Sequence, residues 1–245
     1  MIITLANQKG GVGKTTTALN LAAVLRAVNT PPWSGPSGGS PILYVDTDKQ
    51  MSGATVVQEA ADAAAASAVT TRSPELNGRD ITTDEPIGLP FDFYPATSVE
   101  EIEAIPEIAR SRGYRHVLVD TAGSLDDLSR SEAAIEIADF ALVPMLAEAM
   151  SRKPTQRTIE TMIRPRMGDR FAVAIVNYES RNGTADLVET ADWVVEQGYR
   201  LINTPVRSWR IISRNTICTI GRRTRPALEA HADYQGVAIE ITQGA

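Results

Sequence analysis

Two kinds of hydrophobic pattern alternate along the chain. Short continuous apolar runs occur at residues 2–5, 41–46, 91–95, 116–120, 140–144, 171–177 and 199–202. Runs of this length bounded by polar or glycine-rich residues predict strands buried on both faces. Between them lie longer stretches with apolar residues at helical spacing. Ala18, Leu21, Ala22 and Leu25 mark a helix over 15–27, and Val99, Ile102, Ile105, Ile108 and Ala109 mark one over 98–112. Further helices are expected at 52–68, which is alanine-rich, and at 125–137, 152–167, 184–197 and 226–241. Strand–helix alternation of this kind predicts an α/β fold: a doubly wound, mostly parallel sheet with helices on both faces. No repeat or linker divides the chain, so a single domain over residues 1–245 is expected, with no separate domain ahead of the first strand. Residues 29–40 are rich in Pro, Gly and Ser and read as a surface loop around Trp33. Residues 72–90 read as polar and irregular.

The first strand runs directly into Lys9-Gly10-Gly11-Val12-Gly13-Lys14-Thr15-Thr16 and then a helix. Strand, glycine loop, helix is the setting of a phosphate cradle. The glycines let successive N–H groups turn inward, and the helix start adds its positive dipole end. Lys14 supplies a charge that reaches terminal phosphates, and the Thr15 hydroxyl is a ligand for Mg²⁺. At the end of the second strand stand Asp46 and Asp48. At the end of the 116–120 strand stands Asp120, followed by Thr121-Ala122-Gly123. Carboxylates at the C-terminal ends of parallel strands face the ligand crevice. An apolar strand ending in Asp is the pattern of a Walker B strand, so Asp120 is a candidate to hold Mg²⁺ through its water shell.

The loop departs from the ordinary phosphate-loop pattern, with Gln8 where a glycine is usual and a second lysine, Lys9, ahead of the paired glycines. Lys-Gly-Gly-Val-Gly-Lys-Thr-Thr resembles the deviant Walker A motif of the ParA/MinD ATPase family. The resemblance implies ATP and Mg²⁺ as cofactors, an ATP-bound sandwich homodimer, and catalytic roles for Lys14, Lys9 and Asp48. Lys9 would reach the partner subunit's nucleotide, and Asp48 would position or deprotonate the attacking water. Asp46 would join Thr15 and Asp120 around the metal. Asn177 is implied as an adenine contact. Asn203-Thr204-Pro205-Val206-Arg207 resembles the second adenine-flanking loop, which makes Pro205 and Arg207 base-side candidates.

Composition narrows the branches of that family. Apolar residues make up 43% and charged residues 22%, with a formal charge of −6. That is ordinary for a soluble globular protein, with no run long enough to cross a bilayer and no basic leader. A cytoplasmic, nucleoid-associated protein is expected. The single cysteine, Cys218, excludes an intrachain disulfide and the two-cysteine cluster bridge of nitrogenase-type relatives. The last fourteen residues hold no Lys or Arg, which argues against the basic membrane helix of MinD-type relatives. Six of the 24 basic residues, Arg207, Arg210, Arg214, Arg222, Arg223 and Arg225, fall between Pro205 and Leu228, where there is no acidic residue. The rest of the chain has 18 basic against 30 acidic residues, a remainder of −12. A local +6 on an acidic body suits non-specific contact with DNA phosphates, so Arg210, Arg214, Arg222, Arg223 and Arg225 are candidate DNA contacts. With the family resemblance, this implies a ParA-type ATPase of plasmid or chromosome partition with a ParB-like centromere-binding partner. An amide-forming synthetase with the same loop, or a MinD-like positioning ATPase, are the alternatives.

Overall fold

The computed structural model describes residues 1–28, 41–48, 53–59, 62, 90–123, 128–180, 183–215, 217 and 224–244. Trp33 with its loop, most of 72–90, and both Arg222 and Arg223 lie outside the described residues.

Among the described residues six strands form one sheet: β1 (Ile2–Leu5), β2 (Ile42–Asp46), β3 (Asp92–Pro95), β4 (His116–Asp120), β5 (Phe140–Leu146) and β6 (Phe171–Val176). Their spatial order is β3-β2-β4-β1-β5-β6, and every pairing is parallel. The α/β doubly wound expectation therefore holds. The helices are α1 (Lys14–Val28), α2 (Val99–Glu103), α3 (Ile105–Arg112), α4 (Leu128–Glu136), α5 (Ala149–Thr158), α6 (Arg164–Met167), α7 (Thr184–Glu196), α8 (Arg210–Asn215) and α9 (Arg225–Gly244). Residues 53–59 are also helical.

Alternate strand residues feed opposite faces, as the pleat requires. Ile3, Leu5, Ile42, Tyr44, Leu118, Leu142 and Ala174 pack with α1 and α9. On the other side Ala141, Val143 and Val173 meet Ile159, Ile163 and Val194, while Val45, Val117 and Val119 meet Ile102, Ile105 and Ala134. Except for the half-buried edge strand β3, the strands are buried on both sides, which is why they read as continuous apolar runs.

Three elements differ from the sequence reading. The helix expected over 98–112 is two helices, α2 and α3, meeting at Ala104. Pro106 sits at the start of α3, where its missing N–H costs nothing, whereas inside one continuous helix it would remove a bond. The helix expected over 152–167 starts at Ala149 and passes through a π-helical turn, Ile159–Ile163, before α6. Residues 199–202 make no full strand, only a parallel bridge between Val173 and Leu201. The amides that would extend that ladder, at Asn203 and Thr204, donate instead to the Glu240 carboxylate.

Candidate functional site

The C-terminal ends of β1, β2 and β4 converge where the sequence placed the phosphates. Gly11 and Gly13 have φ of 74° and 79°, the left-handed region that favours glycine, and these positions turn the loop into α1. The Thr17 amide donates to the Gly13 carbonyl at 2.8 Å, closing the first turn. Val12 is buried, while Gly10 and Gly11 are exposed on the outer lip. Thr15 and Thr16 are half-buried on the first turn.

The loop's first half is strapped down from the side. Asn7 Nδ2 donates to the Pro144 carbonyl at 2.9 Å and to Thr155 Oγ1 at 3.1 Å. Its Oδ1 accepts the Lys9 amide, and the Gln8 amide donates to Thr158 Oγ1 at 3.0 Å. Lys9 turns toward its own α5. Its Nζ lies 2.5 Å from Glu148 Oε1 and 2.9 Å from Ser151 Oγ. That pair holds the Glu148 carboxyl below the usual carboxylate range.

Lys14 is buried at 7% exposure. Burial pushes its ammonium pKa down, against the pull of the Asp120 and Asp48 charges. Its Nζ lies 3.4 Å from the Lys9 carbonyl. Gly123 is pressed against the same group. A β-carbon there would stand 2.8 Å from Lys14 Nζ and 3.2 Å from the Gly10 α-carbon.

Asp120 is the most perturbed acid of the site. Burial pushes its pKa up to about 7, the Asp46 charge adds to that, and the Thr15 hydroxyl and Lys14 oppose it. Its Oδ2 accepts from the Tyr44 hydroxyl at 3.1 Å, while Oδ1 is buried with no hydrogen-bond partner. A desolvated carboxylate oxygen without a donor, next to a threonine hydroxyl and a buried lysine, suits a hydrated Mg²⁺ beside phosphate, so the residues present fit that ion.

Asp46 also accepts two backbone amides. Its Oδ1 accepts the Asp48 amide at 2.9 Å and its Oδ2 the Ala54 amide at 3.1 Å, so it braces the turn that carries Asp48 and starts the 53–59 helix. Burial nonetheless raises its pKa. Gly53 is required at that turn, because a β-carbon would collide with the Tyr44 hydroxyl and lie 2.8 Å from Asp46 Oδ2.

Asn177 follows β6 at φ 56°, a left-handed position that Asn tolerates, and it is exposed. The residue before it, Val176, packs 3.7 Å from where a Gly13 β-carbon would be, which places Asn177 beside the phosphate loop. Residues 201–208 run alongside. Tyr178 bridges Arg207, and the Ser208 amide donates to the Tyr178 carbonyl at 2.8 Å. Pro205 is half-buried in this segment. The Arg207 guanidinium turns away to Asp233, with Nη2 to Oδ1 at 2.7 Å and Nε to Oδ2 at 3.0 Å.

The structure brings Lys9 through Thr16, Asp46, Asp48 and Asp120 together and sets Asn177, Pro205 and Arg207 at one flank. Arg210 is exposed at the start of α8, and Arg214 lies on the same helix. Arg225 is 90% exposed and pairs with Glu229 at 2.7 Å. Asn7, Tyr44, Gly53, Thr155, Thr158, Asp233 and Glu240 were not anticipated from the sequence. Only Gly53 had a possible local signal, as a glycine opening a helix just past a strand-end carboxylate.

The loop and strand ends have the arrangement of a P-loop NTPase-like fold, and comparison with known proteins agrees on that fold. Residues 1–83 match the family model of an AAA domain. The chain is 29% identical to the chromosome-partitioning ATPase Soj of Thermus thermophilus, over 98% of this chain and 94% of that protein. It is 26% identical to the maintenance of carboxysome distribution protein A of Gloeobacter kilaueensis, over 98% of this chain and 93% of that one. Among solved structures it superposes on the MinD cell division protein of Aquifex aeolicus with a TM-score of 0.66 at 18% identity, covering 100% of this chain and 97% of that one. It also superposes on cobyrinic acid a,c-diamide synthase of Mycobacterium smegmatis with bound ADP and magnesium, with a TM-score of 0.60 at 18% identity, covering 100% and 96%. The resemblance to the ParA/MinD family holds in sequence and in fold. No helix among the described residues is long and apolar enough to cross a membrane.

Proposed function

We propose that this chain is a ParA-type partition ATPase, in which Mg²⁺–ATP joins two subunits into a dimer that binds DNA without sequence preference. A centromere-bound ParB-like partner would then stimulate hydrolysis and release. The observation that carries the nucleotide half is the buried, donorless Oδ1 of Asp120 beside Thr15 and Lys14. Bound Mg²⁺ would offset the phosphate charge and orient the terminal phosphate. Lys14 neutralises the β- and γ-phosphates, the amides of Gly10 to Thr15 cradle them, and Thr15 and Asp120 hold the ion and its waters. Asp48, at the turn braced by Asp46, orients the attacking water and takes its proton. Lys9 serves the partner subunit's nucleotide, and to do so it leaves Glu148.

The DNA half rests on charge. Arg210 opens α8 in an exposed position and Arg225 opens α9. The segment between them carries no acid, on a body of net −12. Two such patches on one rigid dimer raise the effective concentration for the second contact, so ATP switches DNA affinity without refolding. Partition is favoured over the amide-forming alternative because the relatives matched along almost the whole chain are named for partitioning and distribution, whereas the synthase shares only the fold at 18% identity. The test is DNA binding of the full chain with ATP, with ADP and with neither. Tight, salt-sensitive binding with ATP alone is expected. Equal binding in all three states, or none, defeats the reading.

A further inference from the structure

We propose that Asp233 and Glu240, two carboxylates on α9, are positioning residues for the base end of the nucleotide site; this rests on the base-side assignment of Asn177 and residues 203–207.

The two carboxylates stand seven residues, two helical turns, apart on α9, so they project from one face. Each grips one end of the segment that flanks Asn177. Glu240 accepts four bonds at its start: the Asn203 amide at 2.8 Å, Asn203 Nδ2 at 3.0 Å, the Thr204 amide at 2.9 Å and Thr204 Oγ1 at 2.7 Å. Asp233 takes the other end. Its carboxylate accepts the Arg207 amide at 3.1 Å, the Arg207 guanidinium, and Trp209 Nε1 at 2.9 Å, and the guanidinium lies over the Trp209 ring. Between them Gly236 lets the segment touch the helix, because a β-carbon there would stand 2.6 Å from the Thr204 side chain.

This is more polar contact than ordinary loop packing needs. Asp233 is 7% exposed, and a carboxylate so buried is retained only where its partners offset desolvation. The same helix lays its apolar face, Ala230, Tyr234, Val237, Ala238 and Ile241, into the core formed by Ala18, Leu21, Ala22 and Leu25 of α1. The first turn of α1 is the phosphate cradle. α9 therefore holds both ends of the proposed nucleotide site and fixes the distance between them. A nucleotide must span that distance, whereas a bare polyphosphate need only reach one end.

The last point supplies the experiment. Affinities of the full chain for Mg²⁺–ATP, Mg²⁺–GTP and Mg²⁺–tripolyphosphate are measured by calorimetry for the wild type, Asp233→Asn and Glu240→Gln. Each substitution keeps the size and removes the charge that holds the segment. ATP binding is expected to weaken about tenfold, the low end of what a charge-assisted hydrogen bond contributes, and the ATP-over-GTP preference to shrink with it. Tripolyphosphate binding should stay within about twofold. Asp233→Glu, which restores the charge, should recover part of the loss. Unchanged ATP affinity, or equal weakening toward ATP and tripolyphosphate, overturns the positioning role. If Asp233→Asn does not fold, Glu240→Gln decides the question by the same two ligands. A wild type that binds ATP no tighter than tripolyphosphate overturns the base-side assignment itself, and the positioning role with it.

Discussion

The proposed phosphate end and the proposed base end of the site are built on opposite plans. At the phosphate end, one contiguous run supplies glycines, lysine and hydroxyls, and the two strand-end aspartates arrive by sheet register: Leu5 pairs with Asp120, and Asp46 with Asp120. Its key groups are under-satisfied. Asp120 Oδ1 has no donor, and Lys14 is buried with a lowered pKa. At the base end the groups come from an irregular segment, and they are amply satisfied by carboxylates 26 to 37 residues further along the chain. The phosphate end stores unpaired charge for a ligand to complete. The base end spends its charge on its own geometry. Charged chemistry needs the first arrangement, and recognition of a flat, neutral ring needs the second.

The contrast is broken most severely at Lys14. Lys14→Ala leaves the phosphates and the two aspartates without their buried cation, and turnover should fall on the order of 10⁴-fold. Phosphate release by a folded variant at near wild-type rate would remove Lys14 from the chemistry. Next comes Asp48→Ala, which should slow hydrolysis about 10²–10⁴-fold while ATP is still bound and dimers still form. Single-turnover measurement against equilibrium binding separates those two quantities.

Asp120 tests whether the phosphate end is strained when empty. Its folded pKa of about 7 stands above its ordinary 3.8, so its stabilising contribution is full below about pH 3.8 and is lost as pH rises through about 7. Asp120→Asn, which cannot ionise, should therefore gain on the wild type by roughly 4 kcal/mol between pH 3.8 and pH 8 without nucleotide. Urea titrations across that range measure it, and a constant difference would mean that the site stores no such strain. The same variant should lose Mg²⁺-dependent turnover. Gly53→Ala drives a methyl group into Tyr44 and Asp46 and should cost about 1–3 kcal/mol in thermal unfolding, with slowed hydrolysis as the Asp48 turn shifts. The smallest effect belongs to the base end. Asn177→Ala should weaken ATP binding about tenfold or less, with tripolyphosphate binding unaffected. A loss of both would place Asn177 with the phosphates instead.

The same contrast explains what was readable in advance. Glycines at φ 74° and 79° cannot be replaced cheaply, a buried strand must be continuously apolar, and a metal carboxylate must sit where that strand ends. Each demand writes itself into neighbouring residues, so the cradle, Asp46, Asp48 and Asp120 stood out together. Asp233 and Glu240 lie in an otherwise ordinary helix, and nothing near them signals which loop they hold. The ladder begun at 199–202 stops for that reason, the amides of Asn203 and Thr204 just beyond it being claimed by Glu240. The break at Ala104 had a local signal in Pro106, outweighed by an apolar periodicity that runs through it. Arg207 was a base-side candidate through the resemblance of residues 203–207 to an adenine-flanking loop; its pairing with Asp233 had no signal, because Asp233 is remote in sequence.

The central position of β1 has a consequence in time. Its neighbours are β4 and β5, with Ile2 beside Val117 and Ile3 beside Phe140. At about 5–20 residues per second of synthesis, the first strand waits roughly 6–25 s for the 115 residues that separate it from β4. Ile2–Leu5 is an apolar tetrapeptide with two vacant ladders for all of that interval. The fold is of the high-contact-order kind that closes late. The proposed nucleotide cradle takes shape only after the middle of the chain has arrived to flank it, and nascent chains should call on a holding chaperone until then.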